Sequence, residues 1–408
     1  MSNDPYIQKQ EVKTLQQFYD LMSMTGKVRG QALDYLLQDK PGEVSNFVQE
    51  LENALYSLQQ VKDDGSGSRT GKVLLVGSSQ EVQVDLGYEI SELEKDIFFL
   101  QNGEEEFFSY LQRLNPGFEQ QVSLGLDFLK DKHFSCFVTD RDGTVNNYCG
   151  RYRSSIQSVY NALFLTRFAR KRADNPIIVT SGPLQDTGIL DVSITPRGAF
   201  VYAASKGREF MDLQGRISRY PIEEDKQAIL DKLNAKLQKK VHEPGFEKFA
   251  LIGSGLQFKF GQTTIARQDV NNSVAAKESQ DFLKIISSLV QEIDPEGDNL
   301  RIEDTGLDIE IILTVGSGAG LKDFDKGDAV NYLDQALDLH MERGEHLVCG
   351  DTFSDLPMLK TTMEKTTDTY VIFVTRDTQL SSKVQEICPN SLIVTCPDIL
   401  VAILGRLP

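Results

Sequence analysis

Short apolar runs alternate with segments of helical spacing along the chain beyond residue 130. The apolar runs and the helical patterns between them lie at Phe134–Thr139, Ile156–Phe168, Ile177–Thr180, Ala329–Leu339, His346–Cys349 and Val371–Val374. Strands that crossover helices cover on both faces have this continuous apolar character. The alternation therefore predicts an α/β fold with a parallel sheet at its centre.

An insertion interrupts that alternation. Between Val201 and Val315 the chain has alternating segments and two helical patterns, at Phe249–Ile252, Leu256–Phe260, Thr263–Ala266, Leu307–Val315, and near 222–241 and 272–292. Such a mixture is typical of an α+β unit. We therefore expect a core formed by residues 131–200 plus 322–408, with a separate domain at 201–321.

The first 130 residues are mainly helical in pattern. Apolar side chains at helical spacing predict two or three amphipathic helices in an N-terminal region of residues 1–64. Residues 65–130 begin with the glycine-rich stretch Gly65–Ser68, which predicts a flexible linker, and continue as a helical extension with a short strand-like run at Val73–Val76. Self-association, partner binding and bracing of the core are all open roles for these helices.

Charge and composition disfavour several classes of partner. The 408 residues include 43 basic and 60 acidic side chains, a net charge of −17, which disfavours nucleic acid and anionic membrane surfaces. No apolar run of about eighteen residues occurs, so no membrane span is expected. The five cysteines form no C-x-x-C pair and are expected to be reduced thiols. The expected location is the cytoplasm.

The clearest chemical signal is Asp140-Arg141-Asp142-Gly143-Thr144, which directly follows an apolar run. Reactive groups in doubly wound sheets lie at such strand ends. A carboxylate at Asp140 can attack phosphorus and form an acyl-phosphate. A second carboxylate at Asp142 can protonate the leaving alcohol and later deprotonate water. The segment therefore predicts phosphoryl transfer through a covalent intermediate.

Three further segments supply what two aspartates lack. A phosphoryl group is anionic, so a cation and hydroxyl donors are needed around it. Lys326 offers the charge, and either Thr180 or Ser181 offers the hydroxyl, with Thr180 slightly favoured because it lies directly at the end of another apolar run. Asp351 and Asp355 follow a third apolar run and offer the hard oxygen ligands that Mg²⁺ prefers.

These segments, in this order, resemble the haloacid dehalogenase superfamily: D-x-D-G-T, a hydroxyl at a strand end, a lysine, then G-D-x-x-S-D. The resemblance implies a Rossmann-like core in which Asp140 is the nucleophile and Asp142 is the general acid and base. It also implies that Asp140, the backbone carbonyl of Asp142, and Asp351 hold Mg²⁺, with Asp355 supporting through water. An aspartate at 142 favours a phosphatase, because superfamily members with other chemistry often have a different residue there. A mutase is disfavoured because nothing suggests a second phosphate site, and a sugar-phosphate-binding regulator without turnover is disfavoured because the nucleophile and the metal-binding carboxylates are all present.

The long segment between Ser181 and Lys326 leaves room for a C2-type cap, which in this superfamily closes over the core and selects the substrate. Several segments are similar to those of trehalose-6-phosphate phosphatases, particularly a longer nematode-like form with extra N-terminal helices: T-S-G-P-L, S-K-G-R-E-F, G-S-G-L-Q-F-K and G-D-T-F-S-D-L-P-M. That resemblance implies hydrolysis of a soluble sugar phosphate, trehalose 6-phosphate, in trehalose biosynthesis.

Matching positions also imply a set of sugar-binding residues in the cap, namely Arg208, Glu209, Lys259, Arg267 and Glu310. The chain departs from the family pattern at Gln257, where many members have glutamate, and at Ala266-Arg267-Gln268, where others have H-Y-R. Another disaccharide phosphate or a glycosyl-polyol phosphate therefore stays open as the substrate.

Overall fold

The computed structural model describes residues 6–38, 44–77, 80–314 and 323–407. The N-terminal region contains four helices and a hairpin: α1 (Leu15–Leu37), α2 (Val44–Gln59), β1 (Gly71–Val76), β2 (Gln80–Asp85), α3 (Gly87–Leu114) and α4 (Phe118–Phe128). The first half of the core follows, with β3 (Phe134–Thr139), α5 (Val159–Arg172), β4 (Ala173–Val179), α6 (Ile189–Val192), β5 (Val201–Ala204), β6 (Glu209–Met211) and β7 (Ile217–Arg219).

The cap and the second half of the core complete the chain. The cap comprises α7 (Glu224–Lys240), β8 (Leu256–Lys259), β9 (Gln262–Ala266), α8 (Ala276–Ile293), β10 (Leu300–Asp304) and β11 (Asp308–Leu313). The core then resumes with α9 (Lys326–Leu337), β12 (His346–Gly350), α10 (Leu356–Lys365), β13 (Thr369–Val374), α11 (Thr378–Ile387), β14 (Leu392–Val394) and α12 (Pro397–Arg406).

The core is a doubly wound sheet, which confirms the predicted fold class. Its strands lie in the order β14-β13-β12-β3-β4-β5-β6-β7, and the first six are parallel. Helices α5 and α12 pack on one face, and α9, α10 and α11 pack on the other. Because β3 lies between β12 and β4, the residues that follow these three strands meet at one edge of the sheet.

The structure places the boundary between core and cap later than the predicted residue 201. Strand β5 pairs in parallel with β4, with Val201 beside Ile177, and the antiparallel β6 and β7 extend the same sheet. Residues 201–219 therefore belong to the core. Three strands of three or four residues each lack the long apolar run of a central strand, so their pattern resembled that of the inserted domain.

The cap is an antiparallel sheet packed against two helices. Its strands lie in the order β10-β11-β9-β8, and α7 and α8 share an apolar core with one face of the sheet. The predicted strand at Phe249–Ile252 is wrong, because a 3₁₀ turn occupies Glu247–Ala250. The alternation there reflects packing of the Phe249 ring, which stacks on Phe282 of α8 with centroids 3.7 Å apart.

The N-terminal region packs against both the core and the cap. A buried ion pair joins Arg29 of α1 to Asp96 of α3 at 2.6 Å, and α1 and α3 both contact α5 of the core. Toward the cap, the Tyr19 hydroxyl donates a hydrogen bond to the carbonyl of Leu251 at 2.5 Å. Among the described residues, no helix combines the length and apolar character needed to cross a membrane.

Candidate active site

Asp140 and Asp351 lie close together because the strands before them are neighbours. Asp140 directly follows β3 and Asp351 directly follows β12, and the register of this parallel pair sets Thr139 beside Cys349. The backbone N–H of Asp140 donates to the carbonyl of Cys349 at 3.0 Å. The sheet thus presents two carboxylates at the same edge, as the apolar runs before them predict.

Lys326 bridges two carboxylates of this edge. Its Nζ donates to Oδ1 of Asp140 and to Oδ1 of Asp355, each at 2.5 Å. Lys326 is the first residue of α9, and the carboxylate of the N-cap Asp325 fixes that helix start by accepting from the backbone N–H groups of the first turn. The capped start of α9 therefore fixes the backbone from which the ammonium group of Lys326 reaches the two carboxylates.

Asp355 also holds the loop that carries Asp351. Its Oδ2 accepts hydrogen bonds from the backbone N–H of Asp351 at 3.0 Å and from that of Thr352 at 2.9 Å. Thr144 approaches from the other side, and its Oγ1 donates to Oδ1 of Asp351 at 2.9 Å. One carboxylate oxygen of Asp355 thus faces the lysine while the other orders the backbone.

Electrostatics at this cluster are dominated by burial of negative charge. Burial raises the pKa of Asp140 to about 6, against the favourable field of Lys326. Burial and the neighbouring carboxylates Asp140 and Asp355 raise the pKa of Asp351 to about 8. Burial also opposes ionisation of Asp355, but Lys326 and the backbone hydrogen bonds outweigh it and lower its pKa. Among the described residues, Lys326 is the cation that contacts these carboxylates, and its hydrogen bonds go to Asp140 and Asp355.

The donor set fits a divalent cation. Carboxylate oxygens of Asp140, Asp351 and Asp355 lie within 4.8 Å of one another, and hard cations prefer such oxygens. Burial and neighbouring carboxylates raise the pKa values of Asp140 and Asp351, and a bound cation would favour their ionised forms. The carboxylate of Asp142 does not belong to this group of three.

The side chain of Asp142 is oriented by two donors. Arg141 Nη1 lies 2.5 Å from Oδ1 of Asp142, and Ser155 Oγ donates to the same oxygen at 2.9 Å. Arg141 in turn donates to Ser155 Oγ at 3.0 Å and to the carbonyl of Ser155. This triangle holds Asp142 beside the cavity and away from the metal-binding cluster.

Thr180 and Ser181 occupy different environments. Thr180 is buried, and its Oγ1 accepts a hydrogen bond from the backbone N–H of Gly182 at 3.2 Å. Ser181 is exposed and lines the cavity next to Asp142. The sequence favoured Thr180 slightly for the phosphate-binding hydroxyl, whereas the structure makes the hydroxyl of Ser181 the accessible one.

A cavity of about 210 Å³ lies between the core and the cap. The core contributes Asp142, Ser181 and the loop of residues 148–155, and the cap contributes polar side chains that share one face of its sheet: Gln257, Lys259, Thr264, Asp308 and Glu310. The register across β8, β9 and β11 aligns Gln257, Thr264 and Glu310 in one row. The opposite face carries Ile309 and Ile311 into the apolar core of the cap.

Electrostatics in the cap part of the cavity favour a polar ligand. Burial lowers the pKa of Lys259, although Glu310 and Asp308 act against it. Burial likewise raises the pKa of Asp308. A lysine and two carboxylates facing one cavity provide both donors and acceptors, which is the chemistry that a ligand covered in hydroxyl groups requires.

Three of the predicted sugar-binding residues lie outside this cavity. The structure does not bring Arg267 to the cavity, since its guanidinium pairs with Asp304 at 2.7 Å and donates to Ser279 at 2.7 Å within the cap. Arg208 is buried and donates to the carbonyls of Gly261 and Leu313, so it joins the core to the cap. Both guanidinium groups are thus occupied by contacts inside the chain.

Glu209 lies in a groove next to the cavity. It accepts a hydrogen bond from Ser205 Oγ at 2.9 Å and pairs with Arg219 at 3.5 Å. Lys259 lines both the groove and the cavity, so it is the side chain that connects Glu209 to the rest of the site.

Sequence reasoning missed several residues of the cavity wall. Asp308 lies two residues before Glu310 on β11, and the two-residue period of a strand was the signal that would have found it. Ser155 and the loop around it had no such signal, because only the folded chain brings that loop to Asp142.

The chain matches two known protein families. The description "Trehalose-6-phosphate phosphatase, C-terminal" covers residues 137–400, and "Trehalose-6-phosphate phosphatase N-terminal helical bundle domain" covers residues 14–116. The first match spans β3 to α12 and contains every carboxylate of the cluster, whereas the second spans α1, α2 and α3.

Several individual proteins are similar to this chain. A protein of Aphelenchoides avenae named "Alpha,alpha-trehalose-phosphate synthase (UDP-forming) 2" is 34% identical over 416 residues, which cover 97% of this chain and 32% of that protein. A "Trehalose-phosphatase" of Caenorhabditis briggsae is 30% identical over 351 residues, 78% of this chain and 80% of that one. The chain thus spans about a third of the length of such synthase-named relatives. A solved structure of a "trehalose-6-phosphate phosphatase related protein" superposes with a TM-score of 0.45 at 15% identity, covering 66% of this chain and 95% of that chain.

Proposed function

Because this chain belongs to the trehalose-6-phosphate phosphatase family, we propose that it hydrolyses trehalose 6-phosphate to trehalose and phosphate with Asp140 as the nucleophile. The observation that carries this proposal is the contact of Lys326 with both Asp140 and Asp355 at 2.5 Å. It joins three segments far apart in sequence into one anionic edge with a fixed cation. A phosphoryl group needs this combination of nucleophile and positive charge.

Hydrolysis proceeds in two displacements. A carboxylate oxygen of Asp140 forms a bond to phosphorus while the bond from phosphorus to the sugar oxygen breaks, and Asp142 gives its proton to that leaving oxygen. A water molecule then attacks phosphorus, Asp142 accepts the proton of the water, and the bond to Asp140 breaks. Asp142 lines the cavity, and hydrogen bonds to its Oδ1 from Ser155 at 2.9 Å and from Arg141 hold its side chain there, which supports this assignment.

The residues around Asp140 handle the charge of the phosphoryl group. Lys326 offsets part of it, and the accessible hydroxyl of Ser181 donates to a phosphoryl oxygen. Asp140, Asp351 and the backbone carbonyl of Asp142 would hold Mg²⁺, with Asp355 in support, and a bound Mg²⁺ supplies further positive charge for the phosphoryl oxygens. Five unpaired cysteines suit a reducing compartment, so we place the activity in the cytoplasm.

The cap supports a sugar as the other half of the substrate. Lys259, Glu310 and Gln257 face the cavity from the polar side of the cap sheet. Charged and amide groups recognise hydroxyls, whereas an apolar cap would suit a lipid or aryl phosphate. The glutamine at 257, where many family members have glutamate, keeps this position an acceptor and donor without a charge.

Release of phosphate from a panel of sugar phosphates tests the proposal. We expect trehalose 6-phosphate to be turned over at least about tenfold more efficiently than glucose 6-phosphate, another disaccharide phosphate or a glycosyl-polyol phosphate. Equal turnover across the panel would contradict the assigned substrate. The matched control is Asp140→Asn, for which we expect an intact fold by circular dichroism and no turnover, and activity retained in that variant would remove Asp140 from its role.

A further inference from the structure

Helix α3 of the N-terminal region carries a buried acidic stripe. Glu89, Glu92 and Asp96 repeat at helical spacing on one face, and they are 2%, 3% and 0% exposed. Such carboxylates are almost never fully buried unless they are paired. Their partners include side chains and backbone groups of one segment, residues 147–159, which follows the motif of Asp140 and Asp142.

Glu89 receives the most donors from that segment. Nη2 of Arg151 lies 2.9 Å from each of its two carboxylate oxygens, Ser154 Oγ donates to it at 2.6 Å, and Cys149 Sγ lies 3.4 Å away. Three residues of one loop thus converge on a single carboxylate from another region of the chain. Charge-assisted hydrogen bonds of this kind are stronger than neutral ones, and burial strengthens them further.

Other N-terminal groups complete the setting of Arg151. Its guanidinium lies over the ring of Phe18 in α1, with Cζ 5.8 Å from the centroid, and it donates to the backbone carbonyl of Asp85 at the end of β2. Phe18, Asp85 and Glu89 thus approach it from three elements of the N-terminal region. The conformation of Arg151 is therefore set by a region that contains none of the proposed catalytic residues.

The same loop forms one wall of the substrate cavity. Tyr148, Cys149, Arg151 and Tyr152 line the cavity opposite Lys259 and the other cap side chains, and Ser155 at the end of the loop donates to Asp142. The N-terminal region therefore contacts the loop that lines the cavity. The side-chain contacts of Asp140, in contrast, come from Lys326 and Thr144 of the core.

We propose that Glu89 is a positioning residue that fixes Arg151 and the loop of residues 148–155 as the wall of the sugar-binding cavity. Self-association, partner binding and bracing were open as roles of the N-terminal helices. The proposal assigns them bracing of the site, through the contact of Glu89 with Arg151. The identity of the sugar phosphate rests on the proposed function, whereas the contact of Glu89 with the loop does not. Self-association through the same helices stays a prediction.

A small aryl phosphate separates this role from a general loss of structure. Its kcat/KM covers the steps up to release of the phenolate, which leaves without needing a proton from Asp142. That parameter therefore depends on Asp140, Lys326 and the metal-binding cluster, and the small molecule does not extend along the wall that the loop provides. Loosening the loop should therefore weaken binding of the sugar phosphate and leave turnover of the aryl phosphate nearly unchanged. A merely structural role would lower the activity on both substrates in parallel with the folded fraction.

The test compares Glu89→Gln with Glu94→Gln in the full chain with Mg²⁺. Glu94 lies on the same helix, but its carboxylate pairs at 2.7 Å with the exposed Arg69 of the N-terminal region. For Glu89→Gln we expect KM for trehalose 6-phosphate to rise about tenfold, with kcat/KM for p-nitrophenyl phosphate within about twofold of the wild type. Glu94→Gln should match the wild type on both substrates.

Two results would overturn the proposal. One is an unchanged KM of Glu89→Gln for the sugar phosphate, and the other is an equal fall of kcat/KM on both substrates. If Glu89→Gln does not fold, Arg151→Lys keeps the positive charge but removes the planar guanidinium that lies over Phe18, and it should show the same selective rise in KM. Kinetics of Arg151→Lys equal to the wild type would then count against the proposal. The wild type tests the proposed function separately, and if another sugar phosphate of the panel is preferred, the same comparison is made with that compound.

Discussion

Gly143 lies directly against Asp351: a Cβ on Gly143 would be 2.1 Å from Oδ2 of that carboxylate. The backbone of Gly143 also has φ of +94°, a conformation that side chains disfavour. Gly143→Ala should therefore displace Asp351 and weaken the cation site. We expect kcat to fall at least about a hundredfold and the Mg²⁺ concentration for half-maximal activity to rise, as measured by metal titration of the phosphatase activity.

A matched glycine separates this clash from backbone strain. Gly245 in the cap has a similar φ of +89° with no atom within 4 Å of the Cβ position. Gly245→Ala should lower the melting temperature by a few degrees and leave the Mg²⁺ titration unchanged. Equal Mg²⁺ dependence in the two variants would show that the contact with Asp351 is not what requires glycine at 143.

The choice between Thr180 and Ser181 for the phosphate-binding hydroxyl is open to direct measurement. Ser181 lines the cavity, whereas Thr180 is buried with its hydroxyl accepting from Gly182. Ser181→Ala should lower kcat/KM about tenfold or more with an unchanged melting temperature, because it removes a donor to the phosphoryl group alone. Thr180→Val should mainly lower the melting temperature, since it removes a buried hydrogen bond.

The opposite outcome of the two substitutions would assign the hydroxyl just as clearly. Full activity in Ser181→Ala, together with a large loss in Thr180→Val, would return the role to Thr180. Steady-state kinetics and thermal unfolding of both variants, measured at the same pH and Mg²⁺ concentration, decide between the two hydroxyls.

Two cations of the cap should respond differently to substitution. Lys259 is buried and faces the cavity, whereas Arg267 is paired with Asp304 outside it. Lys259→Met keeps the length of the side chain but removes the donor, so KM for trehalose 6-phosphate should rise about tenfold or more. Arg267→Gln should leave KM within about twofold and cost some stability. A larger effect on KM from Arg267→Gln would restore that residue to the sugar site.

Most of the core could be predicted from the sequence because its signals are local. Asp140 and Asp351 each directly follow an apolar strand, Thr180 and then Ser181 follow another, and the edge at which parallel strands end is set by topology. Lys326 was placed by order along the chain and not by a strand, yet the capped start of α9 brings it to the same edge.

Non-local contacts account for what the sequence could not predict. Arg267 follows β9 as Lys259 ends β8, and only the tertiary partners Asp304 and Ser279 distinguish its position from a cavity-facing one. The contact of Glu89 with Arg151 joins residues 62 positions apart, and a carboxylate on an amphipathic helix gives no local sign that it will be buried. Short antiparallel strands such as β6 and β7 were likewise assigned to the cap, because their pairing partners lie in the core sheet.

The raised pKa values of Asp140, about 6, and of Asp351, about 8, make a prediction about stability and pH. In the unfolded chain each carboxyl titrates near its ordinary value of 3.8. The folded, metal-free protein therefore holds more protons than the unfolded chain between about pH 4 and pH 8, and its free energy of unfolding falls as pH rises through that window. In EDTA we expect a lower melting temperature at pH 8 than at pH 5.

Addition of Mg²⁺ should reverse part of that fall, because the cation requires ionised carboxylates and stabilises the folded state that binds it. The rise in melting temperature on adding Mg²⁺ should thus be larger at pH 8 than at pH 5. Asp351→Asn provides the control: an amide does not titrate, so the decline in EDTA should flatten and the effect of Mg²⁺ should shrink. If the change in melting temperature between pH 5 and pH 8 in EDTA were the same in the wild type and in Asp351→Asn, the carboxylate of Asp351 would carry no unbalanced charge. The cluster would then lack the electrostatic reason for binding a divalent cation.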